Sequence, residues 1–216
     1  MANTKQLTRK VLITKYMNHV LEHEHFPSSI YKFCQQQKIK EPEFYSLYGS
    51  FESLQEGIWK EFHDETLKLI QQNKDFESYS NRNKLLSYFF TIFEMFTLNR
   101  SYILLVLNRY EMPLKNLEQL KGLRKEFKLF ASQLAEVSNE KKSIKVLKQP
   151  KGLLAEAAWI QFMFLIKFWM NDDSPAFEKT DAAIEKSVNT AFDVFDNTPL
   201  ESIIDLGKFL WKEQMA

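Results

Sequence analysis

The segment Phe44-Tyr45-Ser46-Leu47-Tyr48-Gly49-Ser50-Phe51-Glu52-Ser53-Leu54 closes a short aromatic helix, turns at Gly49-Ser50 and opens a long helix. Upstream of it, apolar spacing predicts helices over 5–24, 28–37 and 41–48; downstream, one long helix runs over 51–73. Pro27 lies in a turn ahead of Ser28 and Ser29, which cap the second helix, and Pro42 stands in the first turn of the third.

The rest of the chain reads the same way. Only five glycines are present, no Asn-Gly hairpin signal occurs, and apolar residues recur at intervals of three or four. Helices are expected over 82–97, 99–110, 113–138, 151–170, 175–196 and 199–213, giving about ten in an all-α protein. Pro113, Pro150, Pro175 and Pro199 each mark a helix start, and Thr198-Pro199-Leu200-Glu201 forms a capping box. Leu117, Leu120, Leu123, Phe127, Phe130, Leu134 and Val137 form a seam for lengthwise packing on a partner helix. Segment 153–170 is apolar nearly all round, which predicts the most buried helix, at the centre or in an oligomer interface. Segment 177–196 carries one apolar stripe, Phe177, Ile184, Val188, Ala191, Phe192 and Phe195.

At 216 residues, with 44% hydrophobic and 26% charged residues, the chain can bury a full core without disulfides or metals. Its single cysteine, Cys34, excludes an intramolecular disulfide framework, and a cytoplasmic location is expected. Twenty-nine cations against 28 anions leave a net charge of +1, so a polyanionic partner must be met by a local patch. The opening MANTKQLTRK has no apolar core of a secretory leader, and the apolar stretch Ala157–Ile166 falls short of the roughly 20 residues of a membrane span. No Gly-rich phosphate loop, nucleophile elbow or HExxH motif occurs, which argues against an enzyme.

Three short helices followed by a long one, the third entered through a polar turn, is the layout of a helix-turn-helix head on a helical body. The run Phe44–Leu54 resembles the end of the recognition helix and the start of the fourth helix in the TetR family. Ile30, Phe33 and Cys34 resemble the apolar-apolar-small positions of that family's second helix. Lys38, Pro42 and Phe51 stand where the family carries a glycine, a small residue and a phosphate-contacting lysine, and the Phe26-to-Ile30 spacing is one residue shorter. The resemblance covers about residues 7–70. It implies a DNA-binding head over 1–50, a connecting helix over 51–73 and a ligand-binding, dimerising body over 74–216. The implied function is a ligand-responsive transcriptional repressor acting as a homodimer on operator DNA.

Residues 1–50 hold seven cations (Lys5, Arg9, Lys10, Lys15, Lys32, Lys38, Lys40) against four acids (Glu22, Glu24, Glu41, Glu43), a modest basic surplus. By position, Lys38, Lys40, Tyr45, Ser46 and Tyr48 are candidates for contact with DNA, and Ser28, Ser29 and Lys32 for its backbone. Glu41 and Glu43, at the start of the recognition helix, oppose a polyanion if they face it.

In the body, Phe89, Phe93, Phe96 and Tyr102 with Trp159 and Phe162 either fill a core or line a pocket. Glu94, Asn108 and Gln161 are the sparse polar groups that orient a small hydrophobic effector in such a pocket. His19, His23 and His25 share a neighbourhood, but no third well-spaced ligand joins them and no metal or cofactor is expected. Lys141, Lys142, Lys145, Lys148 and Lys151 make a basic loop. The last helix has a wide apolar face (Leu200, Ile203, Ile204, Leu206, Phe209, Leu210, Trp211), suited to docking on the body or, less readily, lying on a membrane. This layout resembles the lipid-binding proteins of coenzyme-Q biosynthesis, which share the TetR-like fold. It gives an alternative, a lipid- or isoprenoid-binding accessory protein that has lost DNA binding.

Overall fold

The computed structural model describes residues 7–108, 117–140 and 151–197. Among them there are nine α-helices and no strand: α1 (Arg9–His23), α2 (Ile30–Gln37), α3 (Glu41–Tyr45), α4 (Phe51–Gln71), α5 (Asn81–Leu98), α6 (Arg100–Leu107), α7 (Lys121–Glu140), α8 (Lys151–Met170) and α9 (Glu178–Asn197). Short 3₁₀ turns occupy Phe76–Ser78, Glu118–Leu120 and Pro175–Phe177. The described residues form an all-α fold, as expected. The helix expected over 199–213 and most of the lysine-rich loop lie outside the described residues.

The chain forms two compact units that are not consecutive stretches: 1–65 with 93–125, and 66–92 with 126–216. In the first unit, Leu12, Tyr16, Val20, Phe33, Cys34 and Phe44 close the core of the head. Phe51, in place of the family's lysine, packs on Tyr16, Phe33 and Phe44 at ring separations of 5.5, 5.7 and 5.7 Å. It adds apolar area to the head and removes a cation from its surface. Behind the head, Trp59 Nε1 donates to Gln119 Oε1 (2.9 Å), and Gln119 Nε2 donates to the Val106 carbonyl (3.3 Å), so a buried amide ties α4 to α6. The helices α5 and α6 meet at 89° across Asn99, whose side-chain amide donates to the Met95 carbonyl.

The second unit is built on rings. Phe127 of α7 lies 5.2 Å from Tyr88, 5.7 Å from Phe89 and 4.8 Å from Phe162. Of the predicted seam, Leu120, Leu123, Phe127 and Phe130 are buried and Leu117 and Leu134 half-buried, while the Val137 side chain lies outside the described residues. Lys128 pairs with Glu156, Gln161 Nε2 donates to Ser187 Oγ (3.0 Å) and Arg82 reaches Asp193 (2.6 Å), which ties α8 to α7 and α9 and α9 to α5.

Two expectations are corrected, the length of one apolar stretch and the start of α9. In a single chain α8, expected at the centre or in an oligomer interface, covers Phe162, Leu165, Ile166 and Trp169 and leaves Ile160 68% and Phe164 57% exposed. Its apolar stretch also runs on from Gly152 to Met170, since single charges at Glu156 and Lys167 do not interrupt it. By length and composition that helix could cross a membrane, a test that the core helix of a soluble protein also passes. The other correction is at Pro175, which opens a 3₁₀ turn and not α9. Ala176 (φ 50°) and Phe177 (φ 59°) are both left-handed there, which breaks the helix before Glu178.

The junction ahead of α9 is held by Asp172. One of its carboxylate oxygens accepts from the backbone N–H (2.9 Å) and hydroxyl (2.6 Å) of Ser174, and the other from the same two groups of Thr180 (2.9 and 2.6 Å). Burial raises this carboxyl's pKa, but the four hydrogen bonds outweigh it and hold the group well below the ordinary carboxylate range.

Candidate nucleic-acid interface and effector residues

The interface is assembled by the ends of α2 and α3. Ser29 caps α2, its hydroxyl accepting the Lys32 N–H at 3.3 Å, while Ser28 is exposed. At the other end, Lys38 N–H bonds to the Gln35 carbonyl (3.2 Å) and Ile39 N–H to the Cys34 carbonyl (2.9 Å). This paired closure requires a left-handed residue at position 38, where Lys38 has φ 56° and ψ 44°. The geometry explains the family's glycine; here a lysine accepts the strain and puts a cation at the turn. Lys15 Nζ donates to the Gln37 carbonyl at 3.0 Å, satisfying the same helix end from α1.

The helix α3 is shorter than the expected 41–48, ending at Tyr45. Its entrance resolves the two acids. The Glu43 carboxylate accepts the Lys40 backbone N–H at 2.9 Å, capping its own helix, and Glu41 is half-buried. Lys32, Lys38, Lys40, Tyr45 and Ser46 are exposed, with Tyr45 at 52%. The Ser46 hydroxyl donates to the Glu43 carbonyl at 2.7 Å, so it presents only oxygen lone pairs outward. Tyr31, which the sequence reading passed over, is 56% exposed on α2 and accepts from Gln35 Nε2 at 2.6 Å. Its signal was the i,i+4 spacing of two polar-tipped side chains on the face that carries Lys32.

Tyr48 is half-buried against α4, in space left free by Gly57: a Cβ at position 57 would meet its ring at 2.6 Å. The Arg9 guanidinium lies 5.8 Å from the ring centre, and burial raises the phenol's pKa. A cleft of about 330 Å³ opens beside Tyr48, lined in part by Arg9, Glu56, Lys60, Glu61 and Asp64, too charged for a hydrophobic effector. Lys10 binds both Glu61 and Glu65 there and so faces α4. Cys34 is buried; burial first, then the charges of Glu41 and Glu43, hold its thiol protonated.

The expected effector residues divide between the units. In the second unit Phe89 and Phe162 are buried rings of the Phe127 cluster, with Trp159 at its edge, 6.3 Å from Phe127, and Gln161 is engaged with Ser187. In the first, Phe93 and Phe96 pack at 5.5 Å, and Phe96 sits 5.7 Å from Trp59. Glu94 and Asn108 are exposed, and Asn108 ends α6, so neither faces these rings. Tyr102 is different. Its hydroxyl is fully buried with no hydrogen-bond partner among the described residues.

Residues 84–210, more than half of the chain, match the tetracyclin repressor-like C-terminal domain. The chain belongs to this family. No curated protein matches the chain. The matched region falls within the stretch expected as the body and leaves residues 1–83 outside it. Among the described residues no group of His, Cys, Asp and Glu is placed to hold a metal ion.

Proposed function

We propose that this TetR-like protein is a transcriptional repressor, not an enzyme, that binds operator DNA as a cytoplasmic homodimer and releases it on binding a small hydrophobic effector. The observation that carries the reading is the outer surface of α2 and α3. Lys32, Lys38, Lys40, Tyr45 and Ser46 are all exposed there, while the acid that opposed them, Glu43, is occupied by the Lys40 N–H. Lysines at the ends of two short helices are placed to neutralise phosphates, and Tyr45 and Ser46 to meet base edges in the major groove. Ser28 joins them at the backbone; Ser29 serves first as a helix cap.

The dimer reading is supported by α8, whose Ile160 and Phe164 stand exposed in a single chain. Pairing α8 and α9 of two copies as a four-helix bundle removes them from water. The effector reading is supported by the Tyr102 hydroxyl, which a ligand's polar atom would satisfy. The two head spacings, matched and unmatched to successive major grooves, are the two states, and an effector shifts them only by binding one more tightly.

The test is selection of duplexes from a randomised pool by the purified protein, then titration of the winner at several salt concentrations. Enrichment of a palindrome with a steep loss of affinity in salt is expected. No enrichment and only weak, sequence-independent binding would remove the repressor reading.

A further inference from the structure

His19 is the second buried polar side chain of the first unit left without a partner. It is 3% exposed, and neither ring nitrogen is hydrogen-bonded among the described residues. A neutral imidazole always carries one N–H donor and one lone pair, so this site forfeits both, where a phenylalanine or leucine would forfeit nothing. Its ring stacks on His23 at 4.1 Å, meets Phe33 of α2 edge-on at 5.5 Å and lies 6.4 Å from His25. His23 Nδ1 is bonded to the His19 carbonyl and His25 Nδ1 to the Phe26 carbonyl, both at 2.9 Å, so the two outer rings are held beside the inner one.

These surroundings answer one question, namely what a proton on His19 would meet. On its own helix the charged neighbours are His23 and Glu22, and in the following turn His25. The face of α2 offers Phe33, and α6, which packs on α1, buries the neutral hydroxyl of Tyr102. Burial, then the charges of His23 and His25, disfavour the protonated ring, and Glu22 opposes them only weakly.

We propose that His19 is a proton-operated latch on the head: neutral, its ring seals α1 against Phe33 of α2, and protonated, it leaves that core and opens the head. The sign follows from linkage. A histidine whose proton is disfavoured in the folded head contributes fully above the unfolded value near 6.5, and its contribution is lost as pH falls below it. The latch concerns the folding of the head and does not depend on duplex binding.

Cys34 supplies the reporter, because it is the one cysteine of the chain, is buried, and follows Phe33. In the full chain, its labelling by 4,4′-dithiodipyridine is measured from pH 7.5 to 5.0 and divided by the rate of the urea-unfolded chain at each pH. Protection is expected to fall by up to tenfold per pH unit below about 6.5, and His19→Phe to flatten that fall. Equal slopes in both proteins, or no slope in the wild type, would overturn the latch. If His19→Phe does not fold, the His19 Cε1–H signal of the wild type decides. A folded-state midpoint below 6.5 supports the latch; one at or above 6.5 overturns it.

Discussion

The Glu43 carboxylate accepts the backbone N–H of Lys40 at 2.9 Å, so an acid at the entrance of α3 is spent on its own helix. Glu43→Ala is expected to lower stability by about 1 kcal/mol, the net worth of such a bond. Glu43→Gln keeps an acceptor there and removes the charge. It is expected to leave the urea midpoint nearly unchanged and to tighten duplex binding, as read by fluorescence anisotropy. Equal losses of stability in both variants would show that the charge, not the bond, is what α3 needs.

Lys38 combines a strained backbone with a cation, and one substitution separates the two. Lys38→Gly removes a left-handed penalty of about 1–2 kcal/mol but loosens the unfolded chain, for an expected net gain of about 0.5–1 kcal/mol. The same change deletes one of the proposed phosphate contacts, so the slope of log affinity against log salt should shrink by about 0.9. A more stable protein with a weaker salt dependence is the expected pair of readings.

Asp172 predicts how the body responds to acid. Its carboxyl is held below its ordinary value, so its stabilisation is complete above about pH 4 and drains away as pH falls from there toward the folded value. Asp172→Ala leaves two hydroxyls and two N–H groups without their acceptor and is expected to cost about 3 kcal/mol at pH 7. Asp172→Asn should also be less stable at pH 7, but its urea midpoint should drop less than the wild type's between pH 5 and pH 3.

Ile160 tests the dimer with the least disturbance to the chain, being the most exposed residue on the apolar face of α8. Ile160→Glu places a carboxylate in each half of a symmetric interface and also loses about 1.5–3 kcal/mol of apolar burial per copy. Sedimentation equilibrium should show dimer dissociation at least about a hundredfold easier. An unchanged assembly would move the interface elsewhere.

The helices themselves were legible in the sequence wherever periodicity and caps agreed. The prediction of 51–73 and 82–97 matches Phe51–Gln71 and Asn81–Leu98 because both are long amphipathic runs with clear ends. Boundaries failed where local backbone chemistry decided. Ser174-Pro175 reads as a cap and first turn; Ser174 Oγ does accept the Lys179 N–H (3.2 Å), but Asp172 shares the capping by accepting the Thr180 N–H, and the helix waits until Glu178. At the candidate site, Lys32, Lys38, Lys40 and Tyr45 were named from position alone, and all four are exposed. The half-buried seat of Tyr48 could not be read from position, because it depends on Gly57, a residue in the next helix whose missing Cβ leaves the ring room. The direction of Glu43 was open for a related reason: a one-letter code carries the charge but not the partner on which it is spent.

The interleaving of the two units sets a rule for anyone building hybrids from this chain. A cut at residue 50, or at 73, severs the head from Arg100–Leu107, the helix on which α1 packs, and from Gln119, which reaches Trp59. A graft of residues 1–73 onto a foreign sensor would arrive with an open flank of unclothed rings. The transplantable piece must bring 93–125 with it.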